Sequence, residues 1–250
     1  MPEPAAKSKV SEGFVAESAN RLPDRGPRYQ ETPADPYGPT APFLAEPYNA
    51  ATASFFILIA AYWLWRLRGR YRQFPFTTAC TPILLAGGIG GTLYHAFRTR
   101  TAYFLLDLIP ILVLGVVAAI YLCVRLGRWH GWGRVAFGLV GLVAFVVGSN
   151  LLLLNVVPEG NRNLRVNLSY LSQAILIVGP LLFVLVKTRF RDAGLIAAAL
   201  ASFAIAWFCR LVDGLGLVDL PMGTHWLWHT FGALTTLFMF AYFARLEAAK

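Results

Sequence analysis

The sequence predicts an all-α integral membrane protein, a bundle of seven transmembrane helices. Of its 250 residues, 57% are hydrophobic and only 14% are charged, against roughly 25% charged in an ordinary soluble domain. The residues without Asp, Glu, Lys or Arg also form seven long runs, and a helix that crosses a bilayer needs about 20 mostly apolar residues. These features argue against a soluble enzyme or a disordered chain, because too little polar surface remains to face water.

The seven uncharged runs define the spans in chain order. They cover residues 47–65, 73–97, 108–124, 135–158, 166–186, 193–209 and 220–244. The third run is short for a span, so we expect it to extend back through Thr101 and to include Asp107. The sixth is expected to extend past Arg210 toward Asp213. Three prolines fall inside spans, which membrane helices tolerate when neighbouring groups satisfy the freed carbonyls.

Residues 1–44 are predicted to be a proline-rich, extracytoplasmic tail, and residues 45–250 the seven-span domain. The first 47 residues hold nine of the 15 prolines, with scattered charges and no apolar periodicity. We expect this tail to be largely extended and to be ordered only where it meets the bundle.

The Lys and Arg residues between the spans predict the orientation, because basic loops stay in the cytoplasm. Twelve basic residues fall on the side where the odd-numbered spans end, and five on the other side. The N-terminus is therefore expected outside and the C-terminus inside. The formal net charge of +9 is then an orientation signal, and we do not expect nucleic-acid binding.

Ionisable residues inside a membrane are costly, so each requires a reason. Six fall at span ends that alternating directions bring to one level, on the outer side: Glu46, His95, Asp107, Asp213, His225 and His229. Such convergence would be unusual for polar residues scattered by chance. It is the strongest functional signal in the composition and spacing.

Three of these residues have the pattern of a metal site. His225 and His229 are four residues apart, which places both imidazoles on one face of a helix. His95 would supply a third ligand, and Asp107 a fourth ligand or a group that orients a bound water. Three histidines with an open position are typical of a catalytic zinc. A purely interfacial histidine pair and a bis-histidine haem are the alternatives, although haem ligands normally come from opposing helices.

Four strings in these regions resemble those of the alkaline ceramidases, a branch of the CREST superfamily. Ala45 to Asn49 resembles their Ala-Glu-x-x-Asn, and Gly90 to His95 their Gly-Ser-x-x-aromatic-His. Asp107 to Pro110 resembles their Asp-x-x-Pro, and His225 to His229 their His-x-x-x-His. The resemblance covers residues 45 to about 245.

The resemblance implies a zinc ion on His95, His225 and His229, with Asp107 at the water that zinc binds. It further implies hydrolysis of the amide bond of ceramide, or of a related N-acyl lipid that enters from the bilayer. The rival interpretation is a non-enzymatic CREST-like receptor or lipid-binding protein with a structural metal. Nothing in the sequence indicates the oligomeric state.

Two departures from the family pattern concern the site. The family serine four residues before the histidine is Gly91 here, so Thr92 is the hydroxyl that could assist catalysis. The upstream segment that helps eukaryotic members bind calcium lacks its Cys-Glu, although Glu46 is present. A calcium site therefore remains an open alternative. Glu46, Asn49 and Asp213 are candidates for a second metal site or for a structural role.

Overall fold

The computed structural model describes residues 22–157 and 162–249, and its regular elements in these ranges are helices. They are α1 (Pro47–Ala53), α2 (Phe55–Arg66), α3 (Pro75–Phe97), α4 (Thr101–His130), α5 (Trp132–Val156), α6 (Arg162–Lys187), α7 (Ala193–Leu215) and α8 (His225–Ala248), with a 3-10 turn at Tyr71–Gln73. Together α1 and α2 form one span, so the described residues contain seven segments long and apolar enough to cross a membrane. The predicted seven-span, all-α fold is confirmed, and the chain is a multi-pass membrane protein by these criteria.

The spans begin and end close to the predicted positions, with two informative differences. The third begins at Thr101, as expected, and continues to His130. The seventh begins at His225 and not at 220, because the Asp213 carboxylate accepts the N–H groups of Thr224 and His225 at 2.7 and 3.1 Å. A carboxylate at this position satisfies backbone donors that a helix start leaves free.

The first span has a break at Ser54 that the sequence analysis did not predict. The Ser54 hydroxyl donates to the carbonyl oxygen of Ala51 at 2.6 Å. Such a bond to the preceding turn competes with the helical pattern and bends helices.

Glycines in α3 allow this helix to pack closely against two neighbours. A Cβ atom added at Gly88 would come within 2.8 Å of the backbone nitrogen of Ile57 in α2, and one at Gly90 would overlap the backbone at Leu106 in α4. Small residues permit this close approach of membrane helices. The packing brings the end of α3 against the start of α4, where His95 and Asp107 lie.

The two ends of the bundle differ. At one end α3 and α7 finish while α1, α4 and α8 begin; we call this the histidine end. At the opposite end, the buried Glu247 of α8 accepts the N–H groups of Phe76 and Thr77 at 2.7 and 3.0 Å, which caps α3. The apolar side chains between the ends are largely exposed on the outside of the bundle, as a lipid-facing surface requires; Phe137, Val140, Phe183 and Phe208 are examples.

Candidate metal centre

Three histidines meet at the histidine end, as the sequence predicted. His95 comes from the last turn of α3, and His225 and His229 come from the first two turns of α8. All three are buried, and one ligand nitrogen from each lies within 4.8 Å of the others. These three histidines could hold a metal ion.

The donor set suits a transition-metal ion such as zinc. The Nε2 atoms of His95 and His229 are 3.1 Å apart. Two nitrogens on one tetrahedral zinc, with bonds of about 2.0–2.1 Å, are separated by about 3.3 Å. Imidazole nitrogens are also ligands that zinc prefers, and three of them leave a coordination position for water or substrate.

Glu46 orients His95. Its Oε2 atom lies 2.5 Å from Nδ1 of His95. An ionised carboxylate only accepts hydrogen bonds, so Nδ1 carries the proton and Nε2 keeps its lone pair for a metal. A carboxylate behind a ligating histidine is a common arrangement that fixes the ring and increases its basicity. Burial alone would raise the pKa of the Glu46 carboxyl, but the hydrogen bond from His95 and the charge of Arg98 outweigh burial and lower it.

A buried network continues from Glu46 to the N-terminal segment. The guanidinium of Arg98, 0% exposed, donates to Glu46 and to Asp24, with 2.6 Å from Nε to Oδ2 of Asp24. Arg98 also ends α3 in the left-handed conformation, with φ of 53°. Its two carboxylate partners stabilise a backbone conformation that residues other than glycine rarely adopt.

Residues 22–46, which we call the strap, cross the histidine end of the bundle. The backbone N–H groups of Ala45 and Glu46 donate to the carbonyls of Ala96 and His95 at 2.8 and 3.1 Å. The ring of Tyr29 stacks on His225, with centroids 3.7 Å apart and planes at 16°. The second half of the predicted tail therefore makes direct contacts with the metal centre.

The three residues considered for a second metal or a structural role all bind protein groups. Both oxygens of Glu46 accept hydrogen bonds, from Thr32 and Arg98 on one oxygen and from His95 and Asn49 on the other. Asp213 caps α8. Among residues 22–157 and 162–249, the three histidines are the group of at least three His, Cys, Asp or Glu residues close enough to hold a metal.

Asp107 lies beside the histidines and faces a cavity. Its carboxylate and His229 both line an apolar cavity of about 240 Å³ within the bundle. Within the described part of the chain, Asp107 has no hydrogen bond or ion pair, although it interacts electrostatically with His95 and Arg210. It is therefore the carboxylate of this site that is available to a substrate or to water.

The cavity extends from the histidines toward the opposite end. It follows α8 from His229 to Phe243, a distance of about 21 Å at the helical rise of 1.5 Å per residue. Its walls are mostly apolar, with a few polar groups such as Gln173 of α6. Its length and apolar lining suit a single extended hydrocarbon chain.

Gly91 and Thr92 occupy different surroundings. A Cβ atom added at Gly91 would lie 2.7 Å from Oδ1 of Asp107, so the absence of a side chain makes room for the carboxylate. The Thr92 hydroxyl donates to the carbonyl oxygen of Gly88 in its own helix at 2.8 Å, and Thr92 is not among the residues that line the cavity.

Sequence reasoning missed four residues that surround the histidines: Asp24, Tyr29, Arg98 and Arg210. Both arginines were counted as loop or helix-end charges, whereas the structure buries them. Arg98 lies three residues after His95, and Arg210 lies three residues before Asp213. This spacing was the signal that could have indicated a role in the site.

Three ligands, an orienting carboxylate and a free carboxylate at the end of an apolar cavity together make a candidate metal centre in a multi-pass membrane protein. No model of a known protein family matches this chain, and no curated protein matches it either.

Proposed function

We propose that the protein is a zinc-dependent hydrolase that cleaves the amide bond of ceramide or a related N-acyl lipid. The products would be a fatty acid and a sphingoid base or another amine. The observation that carries the proposal is the position of the three-histidine group at the end of a long apolar cavity that Asp107 also lines.

His95, His225 and His229 would hold the zinc, which when bound polarises a carbonyl and lowers the pKa of a water to about 7. Asp107 would accept a proton from the attacking water and return it to the leaving amine. In the described part of the chain it has no hydrogen bond or ion pair, which supports this role, since a carboxylate already bound to arginine would be a weaker base.

The cavity would hold one hydrocarbon chain of the substrate. The strap packs over the histidine end of the bundle, and the cavity runs between helices whose outer surfaces are apolar. A lipid would therefore reach the site sideways from the bilayer. This arrangement favours a long-chain amide over a soluble peptide or amide.

The test is release of fatty acid from a short fluorescent ceramide by the purified full chain, with and without a chelator. Elemental analysis in parallel should find about one zinc per chain. His225→Ala should lose zinc and turnover together. Thr230→Ala is the matched control on the same helix, because its hydroxyl donates only to the Trp226 carbonyl at 2.9 Å, and it should keep both.

Two outcomes would contradict the proposal in different ways. Equal zinc in wild type and His225→Ala would eliminate the metal site. Zinc and lipid binding without hydrolysis of any N-acyl lipid would favour the rival function, a receptor or lipid-binding protein with a structural metal.

A further inference from the structure

Two arginines are buried beside the histidines, and only one has carboxylate partners. Arg98 binds Asp24 and Glu46, so its charge is balanced. Arg210 of α7, 5% exposed, has no carboxylate oxygen within 4.0 Å in the parts of the chain that the structure describes. Its Nε atom is buried without a hydrogen-bond partner.

The neighbours of Arg210 position its guanidinium without balancing its charge. The guanidinium carbon lies 5.1–5.6 Å from the ring centroids of Tyr29, Tyr170 and Trp228. Its Nη1 atom is 3.5 Å from Nδ1 of His225. Aromatic faces stabilise a cation, but the imidazole of His225 is either neutral or positively charged and cannot balance the charge of Arg210. Asp107 interacts electrostatically with Arg210, but it lies beyond ion-pair distance.

An unpaired charge in a buried site is unfavourable unless a counter-charge is present. A divalent cation on the three histidines would increase the positive charge of this site further. The site therefore attracts an anionic group that binds next to the histidines. Arg210 does not itself line the apolar cavity, but two of the rings around it, Tyr170 and Trp228, do. An anionic group held between these rings and the histidines can therefore be the head of a molecule whose chain fills the cavity.

We infer that Arg210 binds the carboxylate of a long-chain fatty acid whose hydrocarbon chain lies in the cavity. The planar guanidinium matches the geometry of a carboxylate, and the apolar cavity suits an unbranched chain. The inference rests on the proposed function, in which such an acid is the product of amide cleavage. Arg210 is then a product-binding residue, distinct from the ligands and from Asp107.

The experiment compares palmitate with hexadecanol, which has the same chain and an uncharged head. Both compete with a fluorescent long-chain probe for the purified full chain, and the metal content of each sample is measured. Charge-assisted hydrogen bonds should make palmitate about 10- to 100-fold tighter than hexadecanol in the wild type. Arg210→Met should reduce this preference to about twofold without changing hexadecanol affinity.

Two further variants define the cause. Arg210→Lys keeps the charge without the planar fork and should retain part of the preference. Arg100→Met is the matched control, an exposed arginine at the same end of the bundle, and it should behave as wild type. If Arg210→Met does not fold, the wild type and Arg210→Lys still give the test.

The inference is overturned if the wild type binds the two lipids equally, or if Arg210→Met keeps the preference at unchanged metal content. The latter result would assign the carboxylate to the metal alone. An acid preference without any amide hydrolysis would overturn the proposed function and leave this site intact. Hydrolysis without an acid preference would overturn only the role of Arg210.

Discussion

Three carboxylates surround the histidines, and the partners of each decide its role. Glu46 is fully occupied by His95, Arg98, Thr32 and Asn49, so it positions a ligand. Asp213 accepts the first N–H groups of α8. Asp107 has neither kind of contact and faces the cavity, which makes it the proton acceptor in the proposed reaction.

Asp107→Asn is expected to keep the zinc and to lower turnover by about 10²- to 10⁴-fold, the usual contribution of a general base. The amide preserves the shape of the side chain but cannot accept the proton. Turnover of the fluorescent ceramide and zinc per chain measure the two effects. Thr230→Ala, at a residue outside the cavity whose hydroxyl is bound to the Trp226 carbonyl, is the control. Near-wild-type turnover in Asp107→Asn would remove Asp107 from the mechanism.

Gly91→Ala is expected to lower turnover, because the added Cβ atom would lie 2.7 Å from Oδ1 of Asp107 and must displace the carboxylate. Gly141→Ala is the matched control in α5, at a residue that does not line the cavity and where an added Cβ atom would have no neighbour within 4 Å. Both changes remove about 1 kcal/mol of glycine's helix penalty, so the difference in kcat between them reports the contact. Equal kcat values would show that Asp107 moves aside without consequence.

At the level of elements, the strap joins the N-terminal segment to α3 and α8. Asp24 and Glu46 hold Arg98, Glu46 holds His95, and Tyr29 stacks on His225. The strap therefore orients two of the three histidines that could hold a metal ion. A change in the strap should then affect metal retention as well as stability.

Asp24→Asn is expected to destabilise the fold by about 3–5 kcal/mol, the usual effect of removing one partner of a buried ion pair. The thermal unfolding midpoint and the zinc content should both fall. Asp35→Asn, in an exposed turn of the same strap, accepts only the N–H of Tyr37 at 3.1 Å and should change little. Similar midpoints for the two variants would argue against a stabilising role of the Asp24–Arg98 pair.

At the level of the whole molecule, burial of Arg98 and Arg210 strengthens the charge asymmetry on which the orientation depends. Both side chains are buried, against the strap and the histidines, so Arg100, Arg162 and Arg165 are what remains of the five basic residues counted on the side predicted to be outside. The twelve basic residues on the other side are unaffected. The histidine end is thus expected to face the outside.

Reporter fusions after Lys250 test this topology and should read as cytoplasmic, because basic connections are retained on that side. A fusion within the 158–161 connection should read as external. The opposite pattern at both positions would place the metal centre at the cytoplasmic face, without changing its internal geometry.

The sequence by itself determined the seven spans, because their length and apolarity follow from composition alone. It also predicted that His95, His225 and His229 lie at one level, because the directions of successive spans alternate. The i, i+4 spacing predicted that His225 and His229 share one helix face. The start of α8 and the break at Ser54 were not predicted, because both depend on side-chain hydrogen bonds to particular backbone groups.

Only the tertiary structure decided how the second half of the tail contributes and which arginine is unpaired. The strap has no apolar periodicity that would mark it as packed. It is held by contacts between residues far apart in the sequence, such as those of Arg98 with Glu46, 52 positions apart, and of Gln30 with Asp213, 183 positions apart. Composition records that a charge is present but not whether an opposite charge lies within 4 Å. That distance separates a balanced Arg98 from an unpaired Arg210, and it is set by the packing of helices that local sequence does not specify.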